Sequence, residues 1–389
     1  MRNEWRYLRN MDFVLLLTTL ALMVFGLVVL ASATGEHAVS LLQWSRWTKL
    51  SGYSFFQRQL LWAAGGMVCM AAAMMVDYQA LARWLRPIYA VNLLLLLLVL
   101  VVGTRSELGA QRWISLGPFA LQPSELAKPA MVIVLAVLFT RSEEGVRQWR
   151  DLLVPALYLL PVIALIIIQP DLGTSMVLVG TFFGMLLVSG FPMGRYLTLL
   201  GSTLAAGVGA ILLRIYLGKP EWIKPYQITR LTIFLDPYAD RFGFGYQIIQ
   251  SQFAIGSGRL LGKGLFGSAQ SQLQYLPEHH SDFIFAILGE ELGFVGASAL
   301  LFLFLILIWR GARVATLAKD DFGSLMAAGL ITFLGLHVIV NVGMVLGVMP
   351  VTGIPLPFIS YGGSAMLVNC TAIGLLLNVH MRRHKIQFG

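Results

Sequence analysis

Glu278, His279, His280 and Asp282 fall within five positions, and a membrane-length apolar run follows at once. Four titratable groups so close together can exchange or hold protons. Asp282 stands where the apolar helix should begin. An acid there either caps free N–H groups and sits well against the helix dipole, or marks a site, because ionisable groups at the mouth of a membrane bundle are usually functional. Arg112 precedes a second polar group, Glu125 and Lys128, which are three apart and share one helix face. These two either satisfy each other or line a polar cavity together with Arg112. Arginine suits forked contacts to phosphate oxygens and lysine a point-charge contact.

Further candidates are scattered along the chain. Asp171, in QPDLGT (169–174), either caps the next helix or belongs to a site. Arg230 closes the stretch YQITR (226–230). The run GSGRLLGKGLFG (256–267) resembles a phosphate loop but fails as one for nucleotides: Ser257 and Gly264 occupy the positions that require Gly and Ser or Thr. With Arg259 and Lys263 it either holds a lipid-linked phosphate or is a plain turn. His337 and Asn341, four apart in an apolar run, suit hydrogen bonds to neighbouring helices or proton transfer. Ser360 lies in a stretch (350–364) whose three prolines and three glycines preclude a regular helix. Such backbone survives in a bilayer only where protein or a water-filled cavity covers it.

The elements that must position these groups are transmembrane. Of 389 residues, 57% are hydrophobic and 12% charged, and the mean hydropathy is +0.76. The expected fold is an all-α polytopic membrane protein, one integral domain over 1–389. Ten apolar segments stand out, at roughly 11–33, 58–76, 87–103, 125–140, 152–169, 172–189, 196–216, 282–309, 324–348 and 360–380. Phe13–Leu30 reads as an uncleaved first helix despite its signal-like flanks. Cys69 and Cys370 lie inside apolar runs and read as core residues. The net charge of +9 fits lipid contact and topology rather than nucleic acid.

With the N-terminus inside, Arg2, Arg6, Arg9, Arg83, Arg86, Arg141, Arg147, Arg150, Arg195, Arg310, Arg313, Lys319, Arg382, Arg383 and Lys385 fall on the cytoplasmic side. Only Arg46, Lys49, Arg58, Arg105 and Arg112 fall in short outer loops. Both termini are therefore expected in the cytoplasm, and the long loop 217–281 outside. Aromatic residues in the first outer loop (Trp44, Trp47, Tyr53, Phe55) suit the membrane interface. Tyr246–Ile255 is amphipathic and suits the interface too. All the candidate chemistry then lies on the outer face, where there is no ATP. Cations beside a carboxylate suit transfer from a lipid pyrophosphate, with the carboxylate taking a proton and the cations or a metal holding the departing phosphate.

Six strings carry a resemblance over nearly the whole chain: GAQRWISLG (109–117), QPSELAK (122–128), QPDLGT (169–174), AIGSG (254–258), 275–293 and PLPFISYGGS (355–364). In that order they resemble the SEDS family (shape, elongation, division and sporulation). The resemblance implies a peptidoglycan glycosyltransferase that polymerises lipid II, the undecaprenyl-pyrophosphate-linked disaccharide peptide, into β-1,4 glycan strands. Asp282 matches the catalytic carboxylate, a base on the acceptor 4-hydroxyl, in a single inverting displacement. Arg112, Glu125 and Lys128 match the family's polar cavity; with Asp171, Arg230, Lys263, Glu278 and Ser360 they form the candidate substrate-binding set. A divalent cation, Mg2+ or Mn2+, is implied without a ligand cluster to hold it. The stretches 226–230 and 270–274 are most similar to the elongation branch, RodA-like proteins of rod-shape maintenance. The alternatives are a division or sporulation polymerase of the FtsW or SpoVE type, a lipid II flippase or transporter, and a non-enzymatic scaffold. Besides membrane lipids, the implied partner is a class B penicillin-binding protein carrying the transpeptidase.

Overall fold

The computed structural model describes residues 10–34, 55–105, 111–116, 119–141, 145–217, 225–272, 276 and 280–383. Its helices are α1 (Phe13–Ala33), α2 (Phe55–Met75), the short α3 (Tyr78–Arg83), α4 (Leu85–Val102), α5 (Pro123–Phe139), α6 (Leu153–Ile168), α7 (Leu172–Val188), α8 (Met193–Leu217), α9 (Pro225–Thr232), α10 (Phe244–Gly258), α11 (Ala269–Gln272), α12 (Ile284–Leu317), α13 (Asp321–Val345) and α14 (Gly363–Met381). Ten of these, 16 to 34 residues long, correspond one to one with the ten apolar segments. The chain is an all-α, multi-pass membrane protein.

Seven described helices are long and apolar enough to cross a bilayer, and α7 is a shorter apolar one. Of the ten, α2 and α5 stand outside that group: α5 is only 17 residues long, and polar residues enter the bundle on both, Gln57, Arg58 and Gln59 on the first, Glu125 and Lys128 on the second. The core is α13 and α14, buried along most of their length, whereas α8 buries none of its span. Packing of α14 on α2 is close because glycines meet there. A Cβ at Gly66 would stand 2.8 Å from Cys370 Sγ, and one at Gly374 would stand 2.5 Å from Met70 O. Cys370 is a buried core thiol, as its apolar run implied.

Local rules account for several helix starts. Asp12 accepts from Leu15 N at 3.0 Å, Asp320 from Gly323 N at 2.7 Å, and α5 opens on Pro123, where a missing N–H costs nothing. At the same end of the bundle as Asp12, Arg310 grips that carboxylate at 2.6 and 3.0 Å, and Tyr78 donates to Asp320 at 2.8 Å.

Two features were not visible in hydropathy. The connection before α5 folds into an antiparallel meander, β1 (Thr104–Arg105), β2 (Gln111–Leu116) and β3 (Phe119–Leu121). Ile114 pairs with Leu121 and Ser115 with Ala120. Alternation along β2 buries Ile114 while Trp113 and Ser115 face outward. The second feature is a break in α12, expected as one continuous span. Gly293 adopts φ 65°, ψ −163° and divides it into two segments. Helical hydrogen bonds lost at the break are replaced by the loop after α10. Lys263 N and Gly264 N donate to Glu290 O and Glu291 O (3.0 and 2.9 Å), and Phe294 N and Val295 N donate to Arg259 O and Leu260 O (2.9 and 3.1 Å). Backbone polar groups at membrane depth need such partners. The glycine-rich run thus serves a structural end. A Cβ at Gly262, itself at φ +77°, would stand 2.1 Å from Glu291 O. Helix α10 does not lie alone in an interface: it packs on α12 and α13, burying Ile248, Ser251 and Ala254.

Candidate active site

The segment before α12 and the proline-rich segment after α13 meet at one end of the bundle. Tyr361 N donates to His280 O at 3.0 Å, and Ser360 Oγ donates to Ser281 O at 2.6 Å while accepting from Leu356 N at 2.8 Å. Gln59 on α2 supports the same loop: its Nε2 donates to Ser360 O and its Oε1 accepts from Gly362 N, both at 3.2 Å. Asp282 is not a helix cap. The cap position of α12 is Phe283, with no side-chain hydrogen bond.

Asp282 instead lines a cavity of ≈ 500 Å³ with Arg58, Trp62, Arg112, Trp113, Gln122, Glu125, Arg230, His280 and Tyr361. That volume lies within the range typical of ligand pockets. Asp282 and Arg230 converge on Gly353, at φ +71°. A Cβ there would stand 3.1 Å from Asp282 Oδ2 and 3.7 Å from Arg230 Nη1. Arg230 reaches this point from α9, with its guanidinium stacked 4.6 Å from the Phe244 ring centre. Burial pulls its pKa below the usual arginine value. The Asp282 carboxylate opposes that shift, Arg112 adds to it, and Asp171 opposes it. The site therefore holds two or more guanidinium groups facing a carboxylate, a setting made for an anion with an ionisable partner.

Arg112, set by β2, donates through Nε to Gln169 O at 3.1 Å and also to Pro170 O. Glu125 gives one oxygen to Lys128 Nζ at 2.7 Å; the other, Oε2, is buried without a hydrogen-bond partner at the cavity wall. Lys128 is 1% exposed and is not among the lining residues. Its ammonium is committed to Glu125 and to His337 Nε2 at 2.8 Å. Asp171 performs the capping role. It accepts from Thr174 N at 3.2 Å, and also from Ser124 Oγ, Gln122 Nε2 and Thr174 Oγ1 at 3.0, 3.1 and 2.9 Å, which ties the start of α5 to that of α7. Lys263 is paired with Glu290 at 2.5 Å, where Ser268 Oγ also donates at 2.6 Å, and does not line the cavity. Ser360 likewise stands behind the wall. Glu278 and His279 lie outside the described residues.

Arg58, Trp62 and Tyr361 line the cavity without having been singled out as site residues. Arg58 carried only a topological signal, a cation at the start of a span. His280, one of the four clustered titratable groups, is packed: its ring centre lies 4.4 Å from that of Phe55 and 5.9 Å from that of Tyr361. Among the described residues no three His, Cys, Asp or Glu side chains gather as a metal site.

A sequence profile of the FtsW/RodA/SpoVE family, described as cell cycle protein, matches residues 13–385. The chain belongs to this family. Stage V sporulation protein E of Bacillus subtilis is 40% identical over 370 residues, 95% of this chain and 96% of that protein. Peptidoglycan glycosyltransferase MrdB of Escherichia coli is 37% identical over 377 residues, 96% and 94% of the two chains. A solved chain described under structural coordination of polymerization and crosslinking by a peptidoglycan synthase complex superposes with a TM-score of 0.76 at 33% identity, covering 96% of this chain and 99% of that one. The sporulation protein and the glycosyltransferase thus match this chain over nearly the same span.

Proposed function

We propose that this FtsW/RodA/SpoVE family member is a peptidoglycan glycosyltransferase that polymerises lipid II. The observation that carries the reading is the convergence of Asp282 and Arg230 on Gly353 in a cavity that Arg58 and Arg112 also line. Asp282 takes the proton of the acceptor's 4-hydroxyl as that oxygen attacks the anomeric carbon of the donor. The C1–O bond to pyrophosphate breaks, the C1–O4 bond forms, and the configuration inverts. Arg58, Arg112 and Arg230 face the charge that builds on the departing undecaprenyl pyrophosphate. Lys128 acts one step removed, by fixing Glu125.

A divalent cation fits this setting. Mg2+ is commonly held by one or two carboxylates plus substrate phosphates, and Glu125 Oε2 and Asp282 border the same cavity. Bound there, the cation would supply charge neutralisation at the leaving phosphates. The site is assigned to the outer face of the bacterial cytoplasmic membrane, with both termini in the cytoplasm, on the asymmetry of Lys and Arg. A class B penicillin-binding transpeptidase is the partner that crosslinking requires, a reading supported by the synthase-complex neighbour. The stretches 226–230 and 270–274 favour elongation over division or sporulation.

The test is polymerisation of purified lipid II by the reconstituted protein with a crosslinking-dead transpeptidase partner. Asp282→Asn should lower kcat by about 10²–10⁴-fold, the contribution of a positioned general base. Equal glycan from both proteins would remove Asp282 from the chemistry.

A further inference from the structure

Helix α13 directs two polar side chains at the active-site end. His337 and Asn341, 1% and 0% exposed, are four apart and share one helix face. Asn341 Nδ2 donates to two backbone carbonyls at once, Asp282 O and Ile354 O, each at 2.8 Å. His337 bonds one residue further along, Nδ1 to Pro355 O at 3.1 Å, and its Nε2 meets Lys128 Nζ at 2.8 Å. The partners dictate the tautomer. A carbonyl only accepts and an ammonium only donates, so His337 is a neutral imidazole with its proton on Nδ1.

The carbonyls held this way lie outside any regular ladder. The first turn of α12 closes on Phe283 O, which accepts from Ala286 N at 2.9 Å, and this leaves Asp282 O beyond the helix. Ile354 and Pro355 lie between Gly353 and Pro357, in backbone that forms no helix or strand. One amide therefore sets the spacing between the Asp282 backbone and the Gly353 wall against which the Asp282 carboxylate rests. His337 secures the next carbonyl of that wall and connects it, through Lys128, to Glu125 across the cavity. Neither side chain lines the cavity.

We infer that Asn341 and His337 are positioning residues that aim the Asp282 carboxylate. The inference rests on the proposed glycosyl transfer and adds to it the support of the base. Carboxylate direction matters because a misplacement of about 1 Å at a reacting group costs on the order of 10²-fold in rate.

The experiment uses the full chain, reconstituted with its crosslinking-dead partner and purified lipid II. Asn341→Leu removes both donors at similar volume. It should lower kcat by about 10²-fold while KM stays within about threefold, because the loss falls on the transition state alone. The His337 variants provide an arm independent of Asn341→Leu folding. An Asn amide nitrogen falls where Nδ1 was and a Gln amide where Nε2 was. His337→Asn, which retains the donor to Pro355, should keep kcat within about threefold of wild type, and His337→Gln should lose about tenfold. A folded Asn341→Leu with unchanged kcat, or a raised KM at constant kcat, would overturn the positioning role. Equal losses in the two His337 variants would do the same, since general destabilisation does not discriminate between ring nitrogens. A wild type that makes no glycan would instead overturn the glycosyltransferase reading, and the positioning role with it.

Discussion

Replacing Lys128 with Met should reveal how the cavity wall is held. Lys128 is 1% exposed and Glu125 3%, with 2.7 Å between Nζ and Oε1. The substitution keeps most of the volume and removes the charge. Glu125 would then have neither oxygen paired, because Oε2 already lacks a partner, and His337 Nε2 would lose its donor. Removing one member of a fully buried pair typically costs about 3–5 kcal/mol. Glu125 borders the cavity and draws some solvation from it, which reduces the expected cost to about 2–3 kcal/mol. The double variant Glu125→Gln, Lys128→Met carries no stranded charge and should recover about 1–2 kcal/mol of that loss. Reversible unfolding in mixed micelles, run as a double-mutant cycle, measures the coupling. A single variant within about 0.5 kcal/mol of wild type, or strict additivity in the double, would refute a load-sharing pair.

Three further outcomes are expected. Gly353→Ala forces a side chain into φ +71° and against Asp282 Oδ2 at 3.1 Å. It should cost about 1–2 kcal/mol of stability and lower kcat more than KM changes; unchanged turnover would show that the carboxylate does not rest on this wall. Arg230→Lys loses the stack on Phe244 and the forked donor, and should reduce kcat/KM by about tenfold or more, read in the same polymerisation assay. Tyr78, outside the spans, has its phenol pKa pushed upward by burial and by the bond to Asp320. A raised pKa in the folded state means that this stabilisation is fully present below the unfolded value of about 10 and is lost as pH rises above it. Tyr78→Phe should cost about 1 kcal/mol at neutral pH and flatten the alkaline end of the stability profile; an unchanged alkaline profile would contradict the assignment.

Much of the molecule is a local property of its sequence. A bilayer-length apolar run has few alternatives to a helix, so all ten long helices were legible from hydropathy. The capping role of Asp171 was legible too, because a cap lies within three residues of the group it serves. The Glu125–Lys128 pair could be anticipated from its spacing, but not its seclusion. Lys128 is withheld from the cavity by His337, 209 positions away, and only the packing of α5 on α13 brings them together. The same holds for Asp282. Its place before an apolar helix suggested a cap, yet the chain turns one residue later and leaves the carboxylate at the cavity. The break at Gly293 depends on a loop that supplies the missing hydrogen bonds, and no window of residues around the glycine contains that partner. Arg58, unremarkable as a topological charge, becomes a cavity residue because α2 packs on α14. Sequence by itself determined the spans, the caps and the identity of the polar groups. Tertiary structure decided which of those groups satisfy one another and which remain facing the cavity, since hydrophobicity is read residue by residue, whereas the fate of a buried charge depends on the partner that reaches it.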